Sequence, residues 1–175
     1  GSGVKEIRYS VDGGEETIIS GATTSFILST DGSHTISFSA RDNFGNTEVT
    51  QSRIVQIDKT PPTISATGEP APNAAGWNNT DVTITFTATD DGSGVNTCSE
   101  PVTLSAEGAD QSVTGTATDK AGNTASITVS GINIDKTNPT LTFEAPNPAP
   151  NAAGWHNSDV SIAFAAADIL SGVAS

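Results

Sequence analysis

The chemistry this 175-residue chain could do rests mainly on carboxylates. Acids recur in three short phrases, the last two of them with glycine or asparagine: Ile57-Asp58-Lys59-Thr60, Asp90-Asp91-Gly92 and Asp119-Lys120-Ala121-Gly122-Asn123. Carboxylate and amide oxygens are hard donors of the type that calcium prefers, although the spacing matches no EF-hand loop. A pair such as Asp90-Asp91 would also supply the two carboxyls of a glycosidase. His34 and His156 are the only imidazoles, and neither stands near a Ser or Cys phrase that resembles a catalytic triad. The indoles of Trp77 and Trp155 suit the face of a sugar, but a Trp repeated in a Pro-rich lead segment also serves as a packing anchor. Cys98 is the single cysteine, which excludes an internal disulfide, a four-Cys zinc site and a CxxC redox motif.

Charge narrows the partners. The net charge of −13 lacks the footprint expected for nucleic acid or anionic lipid, so cations are the expected small partners. No apolar run approaches the roughly 20 residues that span a bilayer, and no signal peptide opens the chain. Membrane insertion is therefore not expected, and the sequence reads as an internal stretch of a soluble or secreted protein.

The elements that must position these residues emerge from self-comparison. Ile57-Asp58-Lys59-Thr60 returns 77 residues later as Ile134-Asp135-Lys136-Thr137. Asn73-Ala74-Ala75-Gly76-Trp77 returns 78 residues later as Asn151-Ala152-Ala153-Gly154-Trp155, and Ser93-Gly94-Val95 as Ser171-Gly172-Val173. Strict alternation marks strands: Val82, Ile84, Phe86 and Ala88 share a face opposite Thr83, Thr85 and Thr87, and Val160, Ile162, Phe164 and Ala166 repeat the pattern. Ile7, Tyr9 and Val11 lead into Asp12-Gly13-Gly14, while Ile36, Phe38 and Ala40 follow Asp31-Gly32, which predicts hairpins. Apolar parity changes across Gly131, which predicts a bulge. No segment has helical periodicity.

With 34% apolar residues, nine aromatics and 45 Ser plus Thr, the chain suits small β-units whose surfaces are rich in hydroxyls. About seven short strands per unit is the pattern of an immunoglobulin-like sandwich, with strands labelled A to G in chain order. The predicted fold is all-β, tandem immunoglobulin-like β-sandwiches with one complete unit flanked by two partial ones. Residues 1–60 would carry strands C to G, 61–137 the complete unit, and 138–175 strands A and B. The predicted core of the complete unit is Val82, Ile84, Phe86, Val102, Leu104, Val113, Ala117 and Ile134. From Ser-Gly-Val to the Asp-x-x-Gly-Asn turn takes 40 residues from Ser2 but 26 from Ser93, so the second unit is predicted to lack most of a C/C′ hairpin.

Three phrases carry a resemblance: Ser-Gly-Val-x-x-Ile-x-Tyr-Ser-Val-Asp-Gly-Gly, Asp-Gly-x-His-Thr-Ile-x-Phe-x-Ala-x-Asp-x-x-Gly-Asn, and Ile-Asp-Lys-Thr-x-Pro. Together they resemble the bacterial Ig-like repeat domains of secreted and cell-surface proteins. The resemblance implies an extracellular, non-catalytic spacer, stalk or fibre segment; some members of the family serve in adhesion. Related units commonly place a second Cys near the end of strand B, where this chain has Ala88, so Cys98 is expected to remain a thiol.

Strands of such a sandwich alternate in direction, which brings the B–C and F–G loops to the pole where the unit begins. Asp58, Asp90, Asp91, Asp119 and Asn123 are then expected to converge at one junction as possible calcium ligands. The alternative reading is that these residues form side-chain-to-backbone turns. Strand G runs into Thr60-Pro61-Pro62 or Thr137-Asn138-Pro139 with almost no loop, which stiffens the join. Expected partners are neighbouring Ig-like units of the same or an adjacent chain, with head-to-tail self-assembly possible because both partial units break at the same phase. The alternative function is an adhesin or carbohydrate-binding module that uses loop and Trp residues on a glycan or host surface.

Overall fold

A computed structural model describes residues 1 and 3–173, so Ser2, the first residue of the opening Ser-Gly-Val, lies outside the described residues. Among the described residues the protein is all-β, with twelve strands and no helix. They are β1 (Val4–Val11), β2 (Thr17–Ser20), β3 (Gly32–Asp42), β4 (Gln51–Ile57), β5 (Thr63–Glu69), β6 (Val82–Thr89), β7 (Val95–Cys98), β8 (Val102–Leu104), β9 (Gly108–Asp119), β10 (Thr124–Ile134), β11 (Thr140–Phe143) and β12 (Phe164–Ala167). They form a four-stranded sheet ordered β2-β1-β3-β4, two three-stranded sheets ordered β5-β6-β8 and β10-β9-β7, and the pair β11-β12.

The contacts divide the chain into two compact units. One comprises Gly1–Thr63, Ala88–Thr97 and Ala117–Ala125; the other comprises Ile64–Thr87, Cys98–Thr116 and Ser126–Ser175. In the first, β3 pairs antiparallel with β1 and β4, and the register sets Ile7 against Ala40, Tyr9 against Phe38 and Val11 against Ile36. The β1-β2 hairpin has no counterpart beside β7, as the shorter second copy predicts.

The second unit holds the core. Alternation along β6 buries Val82, Ile84 and Phe86, which cluster with Val113, Ile132 and Ile134. Cys98 is a free, half-buried thiol packed against this cluster. The outward threonines explain the hydroxyl-rich composition, because they pair across strands: Thr83 with Thr103 at 2.9 Å and Ser65 with Thr87 at 2.7 Å. Gly115 faces the Phe86 ring so closely that a Cβ would lie 2.3 Å from it. The parity change at Gly131 (φ 74°) lets both Ile127-Val129 and Ile132-Ile134 turn inward.

Three expectations need correction. Val102 is exposed rather than core, because β8 is a three-residue edge strand whose Leu104 alone reaches the cluster. The stretch before Asp31-Gly32 forms no strand, since no B-type strand pairs with it as β6 pairs with β8. The tail strand covers only 164–167; Val160 and Ile162 lie outside it, and Ser161 bridges Asn147.

Candidate functional site

Asp58 follows the last residue of β4, Asp90 follows β6 and Asp119 ends β9, so three strand ends deliver three acids within the first compact unit. Each offers a carboxylate oxygen within 4.8 Å of the other two. Asp58 Oδ2 accepts the Ser93 amide N–H (2.6 Å) and its Oδ1 accepts that of Thr60 (3.1 Å). Asp90 Oδ1 accepts the Gly94 N–H at 2.6 Å. The fully buried Asp119 takes the N–H groups of Gly122 and Asn123 on Oδ1 and the Asn123 side-chain amide on Oδ2, at 2.7 to 2.8 Å. Asn123 Nδ2 also donates to the Asp58 carbonyl at 3.0 Å, which ties the F–G turn to the end of β4. Gly92 permits this approach, because a Cβ there would stand 2.6 Å from the Asp58 carboxylate.

Of the five residues expected to converge, Asp58, Asp90 and Asp119 come together and Asn123 bonds to two of them. Asp91 is exposed and lines the neighbouring open cleft with Asp31 and Lys120. Among the described residues no lysine or arginine forms an ion pair with the three clustered acids. The Ser93 hydroxyl and then its amide hold the Asp58 carboxyl below its ordinary range. These bonds are the side-chain-to-backbone turns of the alternative reading, and the grouped carboxylates are the donor set of the metal reading; both descriptions fit the same atoms.

The second compact unit repeats the turns of two of the three acids, Asp135 for Asp58 and Asp168 for Asp90. Asp135 takes the Ser171 N–H at 2.9 Å and the Thr137 N–H at 3.1 Å, while Asp168 takes the Gly172 N–H at 2.8 Å. Asp135, again mainly through Ser171, is shifted down like Asp58. Sequence reasoning named neither Asp135 nor Asp168 as a site residue, yet the repeat shift that relates the phrases pointed to both.

The other candidates have structural partners. His34 is buried, with Nδ1 2.7 Å from Asp12 Oδ2 and Nε2 3.0 Å from the Thr30 carbonyl. Thr30 Oγ1 also lies 3.2 Å from Nε2, so the ring is tied between Asp12 and the turn before β3. Asn73 and Asn151 fold their phrases identically, each accepting the N–H of its Trp at 3.0 Å. Trp77 is half-buried, whereas Trp155 is 74% exposed.

No helix of the described residues is long and apolar enough to cross a membrane. No curated protein matches the chain. Among solved structures, the fibronectin(III)-like modules of Clostridium thermocellum CbhA are similar at 15% identity and a TM-score of 0.35, covering 76% of this chain and 80% of that one. Residues 23–99, a segment one repeat period long that contains Asp58 and Asp90, match the family of bacterial Ig-like domains (group 3).

Proposed function

We propose that the chain is a non-catalytic, extracellular structural segment of a bacterial surface or secreted protein, built of tandem immunoglobulin-like sandwiches and acting as a rigid stalk, spacer or fibre element. The carrying observation is the same pair of bonds at both joins: Asp58 to the amides of Thr60 and Ser93, and Asp135 to those of Thr137 and Ser171. A linker pinned at a regular interval by its own acid restricts swivelling, and the Pro residues after each threonine reinforce that. Bacterial Ig-like domains typically occur in extracellular and surface proteins, which supports the location. Small-angle scattering tests the reading: the chain should fit one conformation, and the double variant Asp58→Ala, Asp135→Ala a broad ensemble. A parent chain that itself requires free articulation at the joins overturns it. Binding in a glycan titration that is lost in Trp155→Ala would favour the adhesin reading instead.

A calcium ion at Asp58, Asp90 and Asp119 is a second reading, favoured by three grouped carboxylates without an ion-pair partner. A ligand held only by the folded state raises its stability by linkage. Melting curves that coincide in millimolar Ca²⁺ and in chelator remove the metal and leave the turns.

A further inference from the structure

Three aspartates stand directly before a glycine, two in the head of the chain at Asp12-Gly13 and Asp31-Gly32 and one in the central copy at Asp91-Gly92. Such a pair rearranges readily, because glycine puts no side chain in the way when its amide nitrogen closes on the preceding carboxyl. The fold treats the three differently. Asp12 has both oxygens tied, Oδ1 to the Thr35 N–H and Oδ2 to His34 Nδ1, each at 2.7 Å. Asp31 takes the Thr60 hydroxyl on Oδ2 at 2.9 Å and faces Lys59 Nζ across 3.7 Å on Oδ1, while Gly32 is fixed in β3 opposite Ile57. Asp91 is exposed and, among the described residues, makes no hydrogen bond or ion pair. Gly92 is exposed too, lies outside every strand, and its N–H has no acceptor among those residues.

The residues around this pair are held firmly. Gly92 lies so close to Asp58 that a Cβ would stand 2.6 Å from its carboxylate, and the next residue, Ser93, donates its N–H to Asp58 Oδ2. Asp90 in turn accepts the Gly94 N–H, so Asp91-Gly92 is the unheld crest of a loop that is pinned at its base. The second join lacks such a crest. There Asp168-Ile169-Leu170-Ser171 replaces Asp90-Asp91-Gly92-Ser93, and the Ser171-to-Asp135 tie is kept with neither the second acid nor the glycine.

We propose that Asp91 is a site of spontaneous isoaspartate formation, and that the change unpins the first join while sparing the second. The Gly92 nitrogen attacks Asp91 Cγ and loses its proton, the carboxyl gives up one oxygen as water, and a succinimide ring closes. Water then opens the ring at either carbonyl. Attack at Cγ restores aspartate; attack at the main-chain carbonyl leaves isoaspartate, with the chain running through Cβ and Cγ. Water lost in the first step returns in the second, and no oxidant or reductant takes part. The extra main-chain carbon displaces Gly92 and Ser93, and Gly92 has no room to move toward Asp58, so the Ser93-to-Asp58 bond is lost. The chemistry stands on the loop alone; its consequence for a stalk rests on the reading of the joins as stiff.

Prolonged incubation of the intact chain at neutral pH and physiological temperature, then peptide mapping with a protease that cuts before aspartate but not isoaspartate, tests the site. Isoaspartate should gather at 91 about tenfold or more faster than at 12 or 31, the factor expected when a charge-assisted tie must break first. In denaturant the three should age at similar rates, because only the fold protects two of them. Amide exchange of the aged chain should show protection lost at Ser93 and kept at Ser171. Asp91→Glu, which keeps the charge but closes the larger ring slowly, should keep both. Equal rates at the three sites in the folded chain, the same preference for 91 in denaturant, or an isomerised chain whose Ser93 stays protected overturns the proposal. Small-angle scattering separates it from the stalk reading: isoaspartate at 91 with Ser93 unprotected and an unbroadened ensemble upholds the modification site and overturns the stiffening role of the first join.

Discussion

The β5-β6 and β11-β12 pairs are written in the same alternating pattern and come to opposite ends. Both place an aromatic at the same point of the second strand, Phe86 or Phe164, opposite apolar residues of the first. Phe86 is 6% exposed because the sheet of β7, β9 and β10 lies over it; Phe164 is 63% exposed and its neighbour Phe143 meets it edge-on at 5.6 Å. The strand length follows burial, since β6 spans Val82–Thr89 while β12 spans only Phe164–Ala167. Local pattern selects the hairpin, and the opposing layer decides how much of it becomes strand.

The largest expected effect breaks this comparison at its centre. Phe86→Ala should cost about 3 to 5 kcal/mol, the lost transfer energy plus the cavity left under two sheets. The equivalent Phe164→Ala should cost well under about 1 kcal/mol in dilute solution, because an exposed ring gives up little. Denaturant unfolding of both variants is the measurement, and equal losses would show that the tail face is covered.

Alternation made the cores legible: Val82, Ile84, Phe86, Val113, Ala117 and Ile134 follow from period two alone. Val102 does not, because alternation states which residues share a face and not whether an edge strand is long enough to bury its first residue. The segment 26–28 shows the same limit, since its residues suit a strand but a strand needs a neighbour. For the site, the alternating directions of the strands were enough to gather Asp58, Asp90 and Asp119. Asp91 stays exposed outside this group, and residue type alone does not tell which of two adjacent turn acids joins it.

A second test adds volume instead of removing it. Gly115→Ala places a methyl 2.3 Å from the Phe86 ring, and the overpacking should cost about 1 to 3 kcal/mol. The head carries Phe38 at the equivalent position, so the ring and the small residue trade volume at this site. The double variant Gly115→Ala, Phe86→Leu should therefore recover part of the loss. If Gly115→Ala is as stable as the parent chain, the ring does not sit over the glycine.

The joins sharpen the comparison at low pH. Asp58 and Asp135 both have folded pKa values below the 3.8 of a free carboxyl, chiefly through Ser93 and Ser171. A depressed carboxyl contributes stability that is complete above 3.8 and lost as the pH falls through the lower, folded value. The two should titrate alike by carboxyl NMR, although one lies in each compact unit. A value at or above 3.8 for either would mean that its bonds to the joining loop are not kept in solution.

The smallest effect separates the two copies near neutrality, at one position that the repeat fills with different side chains. His34 in β3 and Gln111 in β9 both reach back to the turn before their strand, His34 Nε2 to the Thr30 carbonyl and Gln111 Nε2 to the Ala106 carbonyl, each at 3.0 Å. Only the imidazole titrates. Its pKa is raised above 6.5, first by the Asp12 carboxylate and then by the Thr30 carbonyl, and Asp12 is held below 3.8 by the same pair. A raised pKa contributes stability that is fully present below 6.5 and lost as the pH rises through the folded value; the Asp12 share is lost at the acid end, below 3.8. The four-stranded sheet should thus be most stable between these limits and soften on the alkaline side, while the Gln111 tie stays indifferent to pH. His34→Gln should keep the turn contact and flatten the alkaline decline, read by amide exchange of β1 and β3 at pH 6 and pH 8. A decline of the same size in the variant would assign the loss to another group.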